Sequence, residues 1–216
     1  MSNSTRQFSP IDKAIEALDV GLRTLFNNPA ITDRADPAAG KSEVEMSESE
    51  RKHVAGLMRI NHCGEVCAQG LYQGQALTAR LPEVREKMEQ SAAEENDHLA
   101  WTANRVNEMG GQLSILNPVF YISSVAIGAI AGLAGDKWSL GFVAETEHQV
   151  VKHLESHLDK LPEQDEKSRA ILELMRDDEM SHATSAIEHG AVDLPAPIRT
   201  VMKLTSKLMT RTTYWV

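Results

Sequence analysis

Two short stretches, Glu95-Asn96-Asp97-His98 and Glu179-Met180-Ser181-His182, each place a carboxylate and an imidazole three residues apart. On an α-helix this spacing puts both side chains on the same face. Each stretch lies within a long segment that has helical periodicity and no internal proline. The sequence therefore predicts two helices that each present a carboxylate–imidazole pair suited to binding a metal ion.

Capping and helix-breaking residues divide the surrounding chain into four long helical segments. A capping box begins the first segment at Ser47, and Leu81-Pro82 separates it from the second. Gly110-Gly111 ends the second segment, and Pro162 separates the third from the fourth. The predicted helices cover residues 47–80, 83–109, 138–161 and 163–189. An all-α, ferritin-like four-helix bundle of two helical hairpins is therefore predicted over residues 47–190, because such bundles carry two Glu-x-x-His pairs and one Glu on each remaining helix.

The register of the first hairpin selects the Glu expected from its first helix. Glu65 precedes Pro82 by 17 positions and Glu95 follows it by 13, so an antiparallel hairpin brings the two to similar depth. The mismatch of about four residues corresponds to roughly 6 Å at a rise of 1.5 Å per residue. Glu65 is therefore the residue of the first helix that is expected to bind metal together with Glu95 and His98.

The second hairpin repeats this arrangement. Glu147 precedes Pro162 by 15 positions and Glu179 follows it by 17, so these two residues are also level. Glu145 lies close to the same depth and competes with Glu147 for the inward position.

Together the hairpins supply four carboxylates and two imidazoles. This set offsets most of the charge of two divalent ions and leaves coordination positions open, which favours iron or manganese and O2 chemistry over structural zinc. Without metal, four facing carboxylates repel one another and are poorly solvated, so the metal-free protein is expected to be less stable. The predicted ligands are Glu65, Glu95, His98, Glu147, Glu179 and His182.

Amphipathic segments flank the predicted bundle. Ser9-Pro10 begins a helix with one apolar stripe, and periodicity is lost from Asn27 onward, so residues 1–46 are predicted as a helix and a linker. Residues 191–216 are predicted to contain a basic amphipathic helix. The stripe consists of Ile11, Ile15, Leu18, Leu22 and Leu25, and the regularly spaced cations are Arg199, Lys203, Lys207 and Arg211.

Between the hairpins, residues 113–135 contain no charged side chain. They are long enough to span about 30 Å of hydrocarbon, but Asn117-Pro118 and three glycines favour a bent or broken segment. Two interpretations stay open: a buried crossover between the hairpins, and an interfacial segment that enters a membrane from one side. The C-terminal helix, which ends in Tyr214 and Trp215, favours the second, because cationic amphipathic helices bind anionic lipid headgroups.

Charge and cysteine content argue against several classes of function. A net charge of −9 repels a nucleic-acid backbone, so no nucleic-acid partner is expected. Two cysteines cannot form a disulfide framework or a cysteine-rich metal site. This cysteine content favours a reducing cytosol, and the first residues lack the layout of a signal peptide.

Four motifs carry a family resemblance across residues 50–190: Asn61-His62-Cys63-Gly64-Glu65, Tyr72-Gln73-Gly74-Gln75, Glu95-x-x-His98 and Asp178-Glu179-x-x-His182. With them the sequence resembles the demethoxyubiquinone hydroxylase family, the di-iron monooxygenases of ubiquinone biosynthesis. The Asn-His-x-Gly-Glu motif and the tyrosine motif that follows it are specific to that family rather than to ferritins at large.

The resemblance assigns the metal ligands to the same six residues. It selects Glu147 over Glu145, because the family has a His six residues after this ligand and His153 stands at that distance from Glu147. His153 thereby becomes a candidate for the substrate pocket, although a leucine follows it where other lineages often have an aromatic residue. Glu94 and Asp178, each directly before a ligand Glu, are candidates to orient a ligand imidazole.

The resemblance implies two bound iron ions, O2 as co-substrate, and hydroxylation of the ring of a polyprenyl methoxy-benzoquinol, demethoxyubiquinol. Such a substrate lies in the bilayer, so the protein is expected at the membrane surface, peripherally on the cytoplasmic side of the cell membrane. The reducing equivalents come from outside the site, and because the chain has no Gly-x-Gly-x-x-Gly motif, the sequence does not identify the electron donor. Association with other ubiquinone-biosynthesis proteins, or with a second copy of the chain, stays open.

Other functions use a similar bundle. A ferritin-like iron-storage protein shares the ligand set but normally lacks an uncharged crossover of this length. A non-catalytic lipid-binding bundle would keep the fold without the metal. A rubrerythrin-like peroxidase is disfavoured, because two cysteines cannot form the four-thiolate iron site that accompanies it. Metal content and assembly size separate these alternatives from a hydroxylase.

Overall fold

The computed structural model describes residues 9–26, 29–32 and 34–216, and within them it contains seven helices and no strand. The all-α prediction is therefore confirmed. The helices are α1 (Pro10–Leu25), α2 (Glu48–Thr78), α3 (Pro82–Glu108), α4 (Asn117–Leu133), α5 (Asp136–Leu158), α6 (Glu166–Glu188) and α7 (Ala196–Thr213).

Local capping chemistry sets most helix ends where the sequence predicts them. Ser9 and Ser47 form capping boxes at the starts of α1 and α2. Gly110 follows the end of α3 with a φ of 72°, a conformation that glycine adopts without strain. The predicted start of α6 was three residues early, because Asp165 caps this helix by accepting a hydrogen bond from the backbone of Ser168.

The four long helices pack as two hairpins, α2 with α3 and α5 with α6, which meet through the α2–α5 and α3–α6 contacts. Two apolar clusters fill this bundle, one toward each end. The first includes Val54, Met58, Trp101, Leu154, Leu172 and Met175, and the second includes Tyr72, Val84, Met88, Leu140 and Val143. The middle of every long helix therefore lies between two apolar layers.

The uncharged segment forms one uninterrupted helix, α4, rather than the bent or broken segment that its proline and glycines suggested. Pro118 occupies the first turn, where its missing N–H costs nothing. The glycines allow α4 to pack closely along α2: a Cβ added at Gly70 would lie 2.7 Å from the carbonyl oxygen of Tyr121, and one at Gly128 would collide with the backbone of Leu71. Gly70 and Gly128 therefore serve close helix packing, whereas Gly135 lies in the turn before α5 with a φ of 114°.

One side of α4 is buried against α2 and the other is exposed. Val119 and Ile122 expose 65% and 67% of their surfaces, so α4 is not the fully buried crossover considered from the sequence. In the described part of the chain, none of the helices has the length and apolar character that crossing a membrane requires.

The terminal helices also expose apolar residues. α1 packs beside α2 and α4, and Gln73 of α2 donates a hydrogen bond to the carbonyl oxygen of Ala17. α7 lies against α2 and α5, and Arg59 donates to the carbonyl oxygen of Tyr214. The predicted stripe of α1 faces outward except for half-buried Leu25. The exposed apolar residues are Ile11, Ile15, Leu18, Leu22 and Phe26 near α1, and Ile198, Val201, Leu204, Leu208 and Trp215 near α7.

Candidate metal centre

The six predicted ligands lie together at the middle of the bundle, between the two apolar clusters. α2 and α5 each contribute one Glu, while α3 and α6 each contribute a Glu-x-x-His pair on one face. None of the six exposes more than 4% of its surface. Four acidic and two imidazole side chains are thus held away from solvent.

The Nδ1 atoms of both imidazoles face the carboxylates. His98 Nδ1 lies 2.9 Å from Glu95 Oε2 and 3.3 Å from Glu179 Oε1. His182 Nδ1 lies 3.2 Å from an oxygen of each of the same two carboxylates. Glu65 completes a group with Glu95, His98 and Glu179 in which each residue offers a ligand atom within 4.8 Å of the others. A single ion can therefore contact several of these atoms at once.

The Nε2 atoms of both imidazoles face outward, each toward a carboxylate on the opposite ligand helix. His98 Nε2 lies 2.9 Å from Asp178 Oδ2, and His182 Nε2 lies 2.7 Å from Glu94 Oε2. Asp178 directly precedes Glu179 and Glu94 directly precedes Glu95, so the pairing between α3 and α6 is reciprocal. An Nε2–H that donates to a carboxylate leaves the Nδ1 lone pair directed into the site.

Glu147 is held by a tyrosine. The hydroxyl of Tyr72 donates a 2.6 Å hydrogen bond to Glu147 Oε1, and both residues are buried. Glu145 is half-buried and instead accepts a hydrogen bond from Gln149 on its own helix. The inward position on α5 therefore belongs to Glu147. No role was predicted for Tyr72 from the sequence, although its position two turns after Glu65 places it on the same face of α2.

Burial has the largest effect on the pKa values at this site. It raises the pKa of Glu65 and Glu147 well above the usual range, and neighbouring carboxylates raise them further. At Glu95, burial also opposes ionisation, but the charge and hydrogen bonds of His98 and His182 outweigh it and hold the pKa well below the usual range. The acidic partners likewise outweigh burial at the histidines, raising the pKa of His98 well above its usual value and that of His182 to about 12. In the metal-free site, protonation is therefore favoured on both imidazoles and on Glu65 and Glu147.

These residues fit a pair of metal ions. Within the described residues, Glu95 Oε1 is buried and has no well-aligned hydrogen bond, although His182 Nδ1 lies 3.2 Å away, so this oxygen is a potential ligand atom. Four carboxylates and two oriented imidazoles are the donor set of dinuclear ferritin-like sites. Oxygen and nitrogen donors without a thiolate suit iron or manganese.

We expect the metal-free protein to melt below the metal-loaded protein, with a gap that widens as pH rises. His98 and His182 have raised pKa values, so their contribution to stability is complete below the unfolded-state pKa of 6.5 and is lost as pH rises toward the folded values. Glu65 and Glu147 also have raised pKa values, so their ionisation lowers stability above 4.5.

Thermal unfolding from about pH 6 to about pH 9, with and without Mn²⁺, measures this effect. Metal at 100 times its Kd adds about 2.7 kcal/mol, or roughly 5–10 °C for a chain of this size. Equal melting temperatures with and without metal throughout this range would contradict the site.

The linker contributes residues that the sequence analysis did not single out. Thr32 donates hydrogen bonds to Asp97, and Arg34 forms an ion pair with Asp178. These residues lie in a segment without periodicity, so no pattern in the sequence indicated that they reach α3 and α6.

His153 lies against His157, with ring centroids 3.9 Å apart. Its pKa is lowered to about 4, mainly by burial and further by the charge of Lys160. Among the described residues, no hydrogen bond connects His153 with the six candidate ligands. Its assignment to a substrate pocket stays a prediction.

Comparison with known proteins agrees with the resemblance found in the sequence. The family described as "Ubiquinone biosynthesis protein COQ7" matches residues 34–213. A protein of Stutzerimonas stutzeri named 3-demethoxyubiquinol 3-hydroxylase is 59% identical over 211 residues, covering 98% of each chain. A protein of the same name from Nitrosococcus oceani is 57% identical over 211 residues, covering 98% of this chain and 99% of its own. One from Chromobacterium violaceum is 56% identical over 206 residues, covering 95% of this chain and all of its own.

Proposed function

The chain belongs to the COQ7 family of ubiquinone biosynthesis proteins, and from this premise we propose that it hydroxylates the ring of demethoxyubiquinol with O2 at a pair of iron ions. Relatives named 3-demethoxyubiquinol 3-hydroxylase match it over almost their full length, which supports the substrate and the reaction. The proposal goes beyond the names of these relatives in three respects: iron as the metal, O2 as the co-substrate, and the six residues as ligands.

The observation that carries the metal-dependent part is the buried set of six donors. Side chains alone cannot use O2 to oxidise a ring C–H bond, whereas two iron ions supply this redox chemistry when bound. In this proposal Glu65, Glu95, Glu147 and Glu179 hold the ions together with His98 and His182. Asp178 and Glu94 fix the two imidazoles, and Tyr72 fixes Glu147.

The surrounding residues protect this chemistry from water. The apolar clusters above and below the six donors exclude solvent from the bundle core. Hydroxylation consumes one O2, two electrons and two protons, and yields a ring hydroxyl and one water. The two electrons come from an external reductant.

The test uses protein purified without oxygen and loaded with Fe²⁺. Iron per chain is measured first, and O2-dependent conversion of a short-prenyl demethoxyubiquinol, with a chemical reductant, is then followed by mass spectrometry. Two irons per chain and a product heavier by one oxygen atom support the proposal. Two irons without product favour an iron-storage protein, and a chain that binds no iron favours a non-catalytic lipid-binding bundle.

We further propose that the protein acts peripherally at the cell membrane, on its cytoplasmic side. The outward sides of α1, α4 and α7 carry the exposed apolar residues, and apolar surfaces of this kind mark sites of membrane or protein contact. α7 adds four exposed cations that suit anionic headgroups. This arrangement supports docking onto one leaflet, where a polyprenyl substrate is dissolved.

An apolar groove supplies a route for the polyprenyl chain in this proposal. The groove has a volume of about 280 Å³ and lies between α4, α5 and the start of α7. Phe142 lines it and stands five positions before Glu147 on α5, a rise of about 7.5 Å along the helix. Its other lining residues include Ile127, Ile130, Trp138, Leu194 and Ile198.

Neutralising the cations of α7 should weaken binding to anionic vesicles. Each basic residue near an anionic surface contributes about 1 kcal/mol, so replacing Arg199, Lys203, Lys207 and Arg211 together by Gln should lower the affinity by up to about 10³-fold. Vesicle co-sedimentation measures the effect. Zwitterionic vesicles are the control, because the wild type and the variant should bind to them equally. An unchanged affinity for anionic vesicles would refute the electrostatic part of the docking.

A further inference from the structure

The N-terminal arm, which is the part of the linker that contains Thr32 and Arg34, is hydrogen-bonded to α3, a helix that carries two of the proposed ligands. The backbone N–H and the hydroxyl of Thr32 donate hydrogen bonds of 2.7 and 2.6 Å to the carboxylate of Asp97. Asp97 lies between Glu95 and His98 on α3, and its side chain is almost fully buried. The arm is therefore held within one turn of the metal centre.

Arg34 extends from this arm to the acid that contacts His98. Its Nη2 lies 2.5 Å from Asp178 Oδ2, the same oxygen that lies 2.9 Å from His98 Nε2. Its guanidinium also lies over the ring of Trp101, with Cζ 5.1 Å from the ring centroid. A cation–π contact and an ion pair thus fix the position of Arg34.

The other histidine lacks an equivalent contact within the described residues. Glu94, which contacts His182 Nε2, has Gln90 as its further partner, through an uncharged amide. The two halves of the duplicated site therefore share the acid–imidazole pair. They differ because a guanidinium contacts the acid in the half with His98, whereas an amide contacts the acid in the half with His182.

We propose that Arg34 is a positioning residue that holds Asp178 against His98, so that the metal position served by His98 binds its ion more tightly than the position served by His182. This inference rests on the proposed metal centre. The physical reason is that a carboxylate held between a guanidinium and an imidazole cannot rotate away, so the ring keeps its Nδ1 lone pair in the site. Outer contacts of this kind typically change metal affinity by about 10–100-fold.

The experiment titrates the full-length, metal-free protein with Co²⁺ and follows the d–d absorption of the bound ion. Wild type should bind two ions with separable constants. Arg34→Gln should weaken one constant by about tenfold or more, leave the other nearly unchanged, and alter the absorption spectrum of the affected step. The matched control is Arg176→Gln, because the side chain of Arg176 is 35% exposed, close to the 32% of Arg34, but pairs with Asp177 rather than with Asp178. This control should leave both constants and both spectra unchanged.

Two further variants separate positioning from a general effect on folding. In an Asp178→Asn background, Arg34→Gln should have no additional effect on the Co²⁺ constants, because its route to His98 is already removed. Arg34→Lys keeps the charge and should therefore recover part of the Co²⁺ affinity that Arg34→Gln loses. If Arg34→Gln does not fold, the Co²⁺ constants of Arg34→Lys are compared with those of the wild type instead.

The proposal is overturned if Arg34→Gln leaves both constants unchanged, weakens both equally, or remains fully effective in the Asp178→Asn background. A wild-type protein that binds no Co²⁺ would overturn the proposed metal centre as well. Wild-type binding of two ions with an unchanged Arg34→Gln variant would overturn this inference alone.

Discussion

Changing Glu95 to Gln should abolish binding of at least one metal ion and lower the rate of hydroxylation by about 10³-fold or more. Glu95 is fully buried, and its two oxygens lie near His98 and His182, so it is placed to contact both proposed ions. The amide of Gln is nearly the same size but is neutral and a weak ligand. Iron per chain and turnover of the short-prenyl quinol measure the two effects.

Controls for this prediction are available on the same bundle. Glu89→Gln changes an exposed residue of α3 and should leave iron content and activity unchanged. Glu147→Gln should lower both, whereas Glu145→Gln should lower neither, because only Glu147 is buried against Tyr72. Full iron content and full activity in Glu95→Gln would contradict the assignment of this residue as a ligand.

Changing Arg105 to Ala should lower the free energy of unfolding by about 3–5 kcal/mol, because it leaves a buried carboxylate without its cation. Arg105 is 1% exposed, and its Nη2 lies 2.7 Å from Asp165, which is also almost fully buried. Its Nη1 contacts Glu43 and Glu108, each at 2.7 Å. The side chain thus connects the linker, the end of α3 and the cap of α6.

Urea unfolding of the metal-free protein measures this loss. Arg23→Ala is the control, because Arg23 forms an exposed pair with Asp19 within α1 that should contribute only about 0.3–0.5 kcal/mol. The double variant Arg105→Met with Asp165→Asn should lose less than the sum of its single variants, since it removes both charges. A loss below about 1 kcal/mol for Arg105→Ala would show that the network does not stabilise the fold.

Features that depend on local spacing could be predicted from the amino-acid sequence. The helix start at Ser9 follows from the serine–proline pair, and the start at Ser47 follows from a capping box that spans four residues. Each Glu-x-x-His pair shares a face because its members are three residues apart, whatever the helix packs against. The hairpin register follows from counting outward from Pro82 and Pro162, since both helices of a hairpin rise equally per residue.

Contacts between segments that are distant in sequence could not be predicted, because they depend on how the helices and the linker pack. The approach of Arg34 to Asp178, the reciprocal pairing of Asp178 with His98 and Glu94 with His182, and the burial of Arg105 join residues at least 60 positions apart or in separate elements. An apolar stripe shows that a helix has an apolar side but not whether that side is covered. The apolar stripe of α1 is exposed although its pattern would also suit burial. α4 packs along α2 because the glycines allow the two helices to approach closely, which hydrophobicity alone does not specify.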